Sequence, residues 1–558
     1  VEDIVDYDGL VEKLVSGSEN ENSPAGRIWQ MLSPKLRGNL KASSSTLSET
    51  QKYDLVNGLN TVLRRKGLYR AEAFSSVKIP AELRALLESG LDNLTPIEAT
   101  SKNRELFRLS FPDEVSESHG LPFPKRPKTI HFGNDFLNRG ELSKGIPVFT
   151  GAVWQPSLLV FGSMRSAYQY VDTGAPGPDT EASEWVNRLD LNFNLALTAT
   201  ERLVVGIRPF DNNGRYSGHQ FKAFDSNGDN ESNLYVDGNI ETLYFEGDFG
   251  ELFPNLDKHD TKGLDFGFSI GRQPIFIQEG IMLNDTIDSI GVTRNNILVQ
   301  GTSNIRITAL WAWGDVDRGI GFGGDARPDS ANLFGLFTSI DTRKSTIDID
   351  IAHISDRLRE EPIGVVPARF EGGDQTNIGI SAVQRIGHYN TAIRINHSQA
   401  AESEDSIHAS DGTLYFGELS WTRPHGNDLV YINGFYSVNK YQSLARDPEA
   451  GGPLGRAGLL FASPGIGTLP SPIENTVADS AGGAIGYQKL LSGIRKQITL
   501  EVGGRTETDG TELDRLGAII SYQQAIKNRA VWRIGAFYVQ GDGIDQRVGF
   551  RSELSVSF

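Results

Sequence analysis

Charged side chains recur at every second position inside otherwise apolar stretches. Arg188 and Asp190 alternate with Leu189, Leu191 and Phe193. Asp348 and Asp350 alternate with Ile347, Ile349 and Ile351, and Glu501 and Arg505 lie opposite Ile498, Leu500 and Val502. Arg533 faces away from Trp532, Ile534, Ala536 and Tyr538, and Arg551 and Glu553 face away from Phe550, Leu554 and Val556. Arg208, Glu246, Asp265, Arg306, Arg385, Arg394 and Glu418 fall in stretches of the same kind. Alternate side chains of a strand point to opposite faces, so each stretch carries one apolar and one charged face. Such a lining can pair ions or hydrogen-bond a passing solute, and it performs no covalent step. Eight arginines oppose eight carboxylates in this set, so it implies no sign of selectivity. A second role for the same residues is a cross-strand ladder, at about 0.2–1 kcal/mol per pair.

Other chemistries find little support. The nine His residues are scattered, with no HExxH or paired spacing, which argues against zinc and against a His-based hydrolase. No GxSxG occurs, and with no Cys there are no disulfides, thiolate metal sites or c-type haem attachment. No cofactor is expected beyond one calcium candidate. Asp225, Asn227, Asp229 and Glu231 place oxygen side chains at every second residue, as calcium loops do. Asn230 stands where an EF-hand has Gly, and Val236 where it has the bidentate Glu, so a solvated acidic loop is the competing reading. The net charge of -17 argues against nucleic acid as a partner. It is unevenly spread: residues 1–126 hold 17 Lys/Arg against 18 Asp/Glu, a net of -1, which leaves -16 for the remainder.

The elements that must position the charged faces follow from period 2. Eighteen strands are expected, with sixteen to twenty as the range: 157–172, 184–198, 201–209, 239–248, 263–273, 284–294, 303–314, 331–341, 344–354, 374–385, 387–398, 411–423, 427–439, 480–491, 495–506, 513–525, 528–540 and 543–558. An extra strand around Pro147–Trp154 would add to them. Most are close to the roughly 9–11 residues that cross a bilayer at a tilt. Links after even strands are mostly short and links after odd strands mostly long, the asymmetry of a transmembrane barrel. An Arg or Lys on the lipid face costs about 2–4 kcal/mol at the midplane, so the charged parity must face a wet lumen. Trp185, Trp311, Trp313, Trp421 and Trp532 lie in strands, several near their ends, as an aromatic girdle requires. No run approaches the roughly 20 apolar residues of a spanning helix. The opening VEDIVDYDGL lacks a basic and apolar leader, as expected of an exported protein whose signal peptide has been removed. The final VGFRSELSVSF alternates through to Phe558 and resembles the terminal-Phe signature of outer-membrane proteins.

A different pattern precedes the strands. Ser48 to Lys66 carries a capping-box start and an apolar stripe at Leu55, Val56, Leu59, Val62 and Leu63. Further helices are expected from Pro80 to just before Gly90 and from Thr95 to about Arg108. The expected organisation is a helical periplasmic or plug module at 1–120, a linker and lumen segment at 121–156, and an all-β antiparallel barrel at 157–558. Two links are unusually apolar: IQEGIMLND after residue 276, and GRAGLLFASPGIGTLPSPI within 440–480. The first is expected to fold inward and narrow a pore. The second is expected to enter the lumen, cap the barrel or meet a partner protein.

The strand ending FGFSIGRQ, followed by a link and TIDSIGVTR, resembles the alginate-export type of outer-membrane β-barrel. The resemblance implies an eighteen-stranded channel with an Arg-rich lumen that passes an anionic polysaccharide. It covers the chain from about residue 157 onward. The expected partners are outer-membrane lipid, a polar solute and a periplasmic or surface protein. The alternatives are an assembly protein anchored by its barrel, and a sheath around a multihaem cytochrome.

Overall fold

The computed structural model describes residues 115–116, 121–122, 130–133, 145–175, 180–212, 215–222, 231–256, 263–318, 331–357, 359–361, 369–401, 408–423, 428–491, 495–510, 514–526 and 528–558. The chain divides into two compact units, Val1–Phe123 and Pro124–Phe558. In the first, Val115–Ser116 pairs with Leu121–Pro122. The helices expected at 48–66, 80–89 and 95–108 lie outside the described residues, as do residues 123–129 of the expected linker.

The second unit is a closed antiparallel barrel of 18 staves. They are β1 Ser157–Asp172, β2 Glu181–Ala196, β3 Arg202–Ile207, β4 Ile240–Asp248, β5 Phe266–Ile277, β6 Leu283–Arg294, β7 Thr302–Gly314, β8 Asn332–Thr342 and β9 Ser345–Ser355. The second half is β10 Gln375–Ile386, β11 Tyr389–Ala400, β12 Gly412–Thr422, β13 Leu429–Asn439, β14 Ser480–Leu491, β15 Lys496–Glu507, β16 Arg515–Ile526, β17 Ala530–Gly541 and β18 Ile544–Ser557. Each stave pairs with the next, and β18 closes on β1 from Val548↔Asp172 to Ser557↔Ser163. Every expected strand corresponds to one stave.

Parity explains why the ring closes with the faces it has. Along β11, Ile393 is 63% exposed on the outside while Arg394 is 2% exposed within. Ile349 and Ile351, Leu500 and Val502, and Phe550 and Leu554 are exposed in the same way. This apolar exterior is what lipid accepts, and closure leaves no unpaired edge for it to solvate. Trp185, Trp311 and Trp313 are exposed near the ends of β2 and β7 that lead into the longer links. Trp311 stacks on Phe334 at 6.4 Å. Trp421 and Trp532 lie near the opposite rim, where Trp532 Nε1 donates to Ser552 Oγ at 3.0 Å. Two aromatic girdles around a closed antiparallel ring are the architecture of bacterial outer-membrane proteins.

Three details depart from the sequence-based expectation. The stretch 121–156 is not all linker: Ile130–Gly133 pairs with β1, from Ile130↔Val160 to Gly133↔Ser157, and continues the wall below the end of β18. Ile146–Pro147 and Val153–Trp154 pair with each other and add no stave. The fifth strand runs past Gln273 to Ile277 because Pro274 sits where β5 is paired only to β6, a position that tolerates a missing N–H. Gly271 is required just before it. Its φ is +123°, and a Cβ there would meet the Leu243 carbonyl oxygen at 2.2 Å.

The wall has one further irregularity. β3 is short, and beyond its end β2 pairs instead with Arg215–Lys222, from Ser217↔Asn187 to Lys222↔Ser183. Links at one rim are short, as at 343–344, 387–388 and 527–529. The 249–265 link at that rim is longer and opens with the helical turn Phe249–Leu252, capped by Asp248. Most links at the other rim are long, and the longest, 440–479, turns into the barrel.

Candidate functional site

The 440–479 link carries most of the lumen's organisation. Leu454, Ala457, Leu460, Phe461 and Ile473 are fully buried and pack against Leu414, Phe416 and Phe435 on β12 and β13. Burying a side chain of this size is worth about 1.5–3 kcal/mol, so the link is held by its own apolar middle. These side chains therefore face the barrel interior. They do not form the exposed surface that a partner protein would need. Where the link begins, Gln442 O accepts from Gln375 and Asn377 on β10 at 3.0 and 2.8 Å.

One sector of the wall fastens the rest of this link through its charges. Arg165 donates to the carbonyl oxygens of Pro464 and Gly465 at 3.0 and 3.1 Å, and to both oxygens of Glu553 at 2.8 and 3.1 Å. Arg188, directly across from Arg165 on β2, donates to Gly465 O at 3.0 Å and pairs with Asp190 and Glu449. Two like charges opposite each other repel, and Glu553, Glu449 and the link carbonyls offset that cost. Arg208 holds Glu449, Asp211 and Asp190 at 3.0, 2.9 and 3.3 Å. Arg551 pairs with Glu553 and reaches Pro464 O at 3.4 Å, and Arg505 donates to Glu474 O and Thr476 O at 3.2 and 2.7 Å. The carboxylates do the converse work. Glu501, 2% exposed, accepts from the Leu459 and Leu460 amides at 2.8 Å each, and Glu184 accepts from the Thr468 amide at 2.8 Å. Arg394 pairs with Glu418 at 2.5 Å, and Glu418 also meets Arg456 of the link, which reaches Glu279 at 2.8 Å.

The opposite sector is open. The β5–β6 link is short and turns inward, with Gln278, Glu279 and Gly280 at φ 52°, 55° and 79°. Left-handed backbone at two non-glycine residues is costly, and here it directs the turn away from the rim. Ile281 and Met282 are fully buried, and Ile281 O accepts from Tyr441 Oη and Ser443 Oγ at 3.2 and 2.6 Å. The inward fold expected of this apolar stretch is therefore present. Below it lies a cavity of about 1690 Å³ that reaches the short-link rim. Its walls carry Glu201, Glu246, Asp248, Glu251, Glu279, Asp348 and Asp350 against Arg202 and Arg306. Arg202 pairs with Glu246, and Arg306 has no carboxylate within 4 Å among the described residues. Asp350, 4% exposed, accepts from Gln278 Nε2 at 2.7 Å and from the Thr338 amide at 3.2 Å. Asp348 accepts from Ser381 Oγ at 2.9 Å.

The equal count of arginines and carboxylates is not matched by their placement: the arginines are largely engaged with the link, and the open walls are acidic. Three sequence candidates stand apart from both sectors. Asp265 precedes β5 at the short-link rim, with its side chain 64% exposed and 3.6 Å from Arg294. Arg385 has lumen parity but lies at the same rim, donating to Gly387 O at 3.2 Å. Arg533, 50% exposed, bonds Gln523 at 2.8 Å and lies 3.7 Å from Glu553. Of the calcium candidates, Asp225, Asn227 and Asp229 fall outside the described residues, and Glu231 opens the short strand Glu231–Asn233. Among the described residues no group of three or more His, Cys, Asp or Glu is placed to hold a metal.

Sequence reasoning missed Arg165, Glu184, Gln278, Glu201 and Glu251. Arg165 and Glu184 were readable, since each has lumen parity in an expected strand. Glu201 opened an expected strand on the parity opposite to Arg208, and the strand in fact starts one residue later, while Glu251 lies in a link, where parity gives no direction. Gln278 was in a stretch expected to fold inward, but its left-handed backbone has no signal in a Gln.

No family model matches the sequence, and no curated protein matches it. Solved structures share its chain trace at low identity. A BenF-like porin from Pseudomonas fluorescens Pf-5 aligns with a TM-score of 0.49 at 10% identity, covering 72% of this chain and 98% of that one. OccK9 (OpdG) of Pseudomonas aeruginosa aligns with a TM-score of 0.47 at 12% identity, with the same coverage. OccK5 (OpdH) of Pseudomonas aeruginosa gives 0.44 at 10% identity, again over 72% of this chain and 98% of that one.

Proposed function

We propose that this chain is an outer-membrane channel for small polar solutes, narrowed by its own 440–479 link. The observation that carries the reading is the lumen itself, which keeps a cavity of about 1690 Å³, with carboxylates and arginines in its wall, beside the inserted link. A barrel serving only as a membrane anchor has no need of buried carboxylates facing such a space, because each costs desolvation. The apolar exterior and girdles support insertion in lipid, with the short links on the periplasmic side. The reading assigns no catalytic step to the chain.

Export of an anionic polysaccharide, implied by the alginate-export resemblance, fits less well. The arginines such a polymer would follow already bond the carbonyls of Pro464, Gly465 and Thr476. Small solutes pass a lumen with an inserted link more readily than a polymer does. A plug or docking role for residues 1–120 remains part of the proposal and is separable by deletion.

Purified protein in a planar bilayer is expected to give stepwise current, and liposomes carrying it should swell in small sugars but not in large ones. Absence of current from both the full chain and a chain lacking residues 1–120 would overturn the channel reading. Current only after the deletion would make that module a plug.

A further inference from the structure

Among the described residues, two buried acceptors in the cavity wall have no donor. Gln278 is 5% exposed and Asn194 is 7% exposed, both line the cavity, and neither Gln278 Oε1 nor Asn194 Oδ1 has a hydrogen-bond partner. A buried carbonyl oxygen left without a donor is costly, and such atoms call for an explanation. Gln278 is oriented by its bond to Asp350, so its free oxygen belongs to the same group as that carboxylate. Asp348 lies two residues along the same face of β9, bonded only to a hydroxyl. Among the described residues of this wall, Arg306 is the base with no carboxylate within 4 Å. It stands across β8 from Asp348, through Arg306↔Ser339 and Ser339↔Asp348, two strand spacings or roughly 10 Å away. Among the described residues Arg306 makes no direct ion pair with these carboxylates, although its charge reaches Asp350 through the lumen.

We propose that the cavity selects cations and that its upper end, at Gln278, Asp348 and Asp350, is a subsite for a protonated amine. This deepens the channel reading and rests on it. A primary ammonium carries three N–H donors and one positive charge. It donates to the amide oxygen and neutralises the carboxylates together, whereas a sugar hydroxyl donates without bringing charge and an anion repels them. The described residues hold no three-acid cluster fit for a metal, so a donor-bearing cation suits the subsite better than a divalent ion. The arginine sector does not oppose this preference, because its guanidinium groups are turned to the link.

The test is the reversal potential across a planar bilayer under a KCl gradient, followed by current block with methylammonium and with tetramethylammonium. The wild-type chain should reverse on the potassium side. Methylammonium should reduce the current at concentrations several-fold below those of tetramethylammonium, which lacks N–H donors. Asp348→Asn with Asp350→Asn should move the reversal potential towards zero. Gln278→Asn, which shortens the acceptor but tolerates left-handed backbone, should remove the difference between the two amines. Current with anion preference, or with none, overturns cation selection while leaving the channel reading intact. Equal block by both amines overturns the subsite. A chain that carries no current defeats the channel reading and this inference with it. The first two measurements need only the wild-type chain, so a variant that fails to fold does not spare the proposal.

Discussion

The arginine sector and the acidic sector of the lumen are built by the same strand rule and end in opposite states. Arg165, Arg188, Arg208 and Arg551, on or just beyond β1, β2, β3 and β18, are satisfied by the carbonyls and carboxylate of an inserted link or by neighbouring acids. Asp348, Asp350 and Glu251, on β9 and after β4, look onto empty volume. The difference lies in the links, since one sector faces residues 440–479 and the other faces only a five-residue turn at 278–282. A strand's parity decides that a charge points inward. The link opposite decides whether that charge becomes scaffold or lining.

The sharpest way to break the contrast is to remove the link. Replacing residues 449–473 with a short Gly-Ser linker should free the arginines to line the pore, raise single-channel conductance roughly two-fold or more, and shift selectivity towards anions. Conductance steps and reversal potential read both effects. A smaller effect is expected from Glu501→Gln, which weakens two charge-assisted bonds to the Leu459 and Leu460 amides, each worth about 1.5–3 kcal/mol. Flickering steps to a larger conductance should replace a steady one. Arg306→Gln touches the acidic sector alone and should increase cation preference without changing that flicker. Unchanged reversal potentials in this variant would mean that Arg306 does not face the conducting path.

The smallest effect belongs to the links at the far rim. Burial, reinforced by the nearby Arg318 charge and by Lys440, pushes the His408 imidazole down to about 4, although Arg318 Nη2 also donates to His408 O at 2.8 Å. The unfolded imidazole takes a proton near 6.5, so the folded link binds fewer protons between those values. Its stability is full above pH 6.5 and is lost as pH falls towards 4. Hydrogen exchange in 408–411 should accelerate over that window, and His408→Gln should flatten the dependence.

Much of the barrel was legible because its two solvents differ so strongly. Lipid outside and charge inside force an alternation that appears in every stave long enough to show it, and the pairing register then follows. The site was half legible. Parity turned Arg188, Asp350, Glu501 and Glu553 to one face, but it could not say that Arg188 would meet Gly465 or that Asp350 would meet Gln278. Those contacts join residues far apart in sequence through links whose backbone follows no period. The apolar character of 440–479 signalled burial, but it was compatible equally with the lumen and with a partner.

Glu553 ties the inserted link to the closure of the ring. This carboxylate bonds Arg165 across the β18–β1 seam, 388 residues away in sequence, and the same Arg165 grips Pro464 and Gly465. The seam joins the first stave to the last, so no shorter-range pairing can form it, and contacts of such separation form slowly. The link therefore acts as a latch on the zipper. A barrel that closes before residues 464–465 arrive leaves a guanidinium partly unmet at its own seam, and one that closes around them is locked from inside.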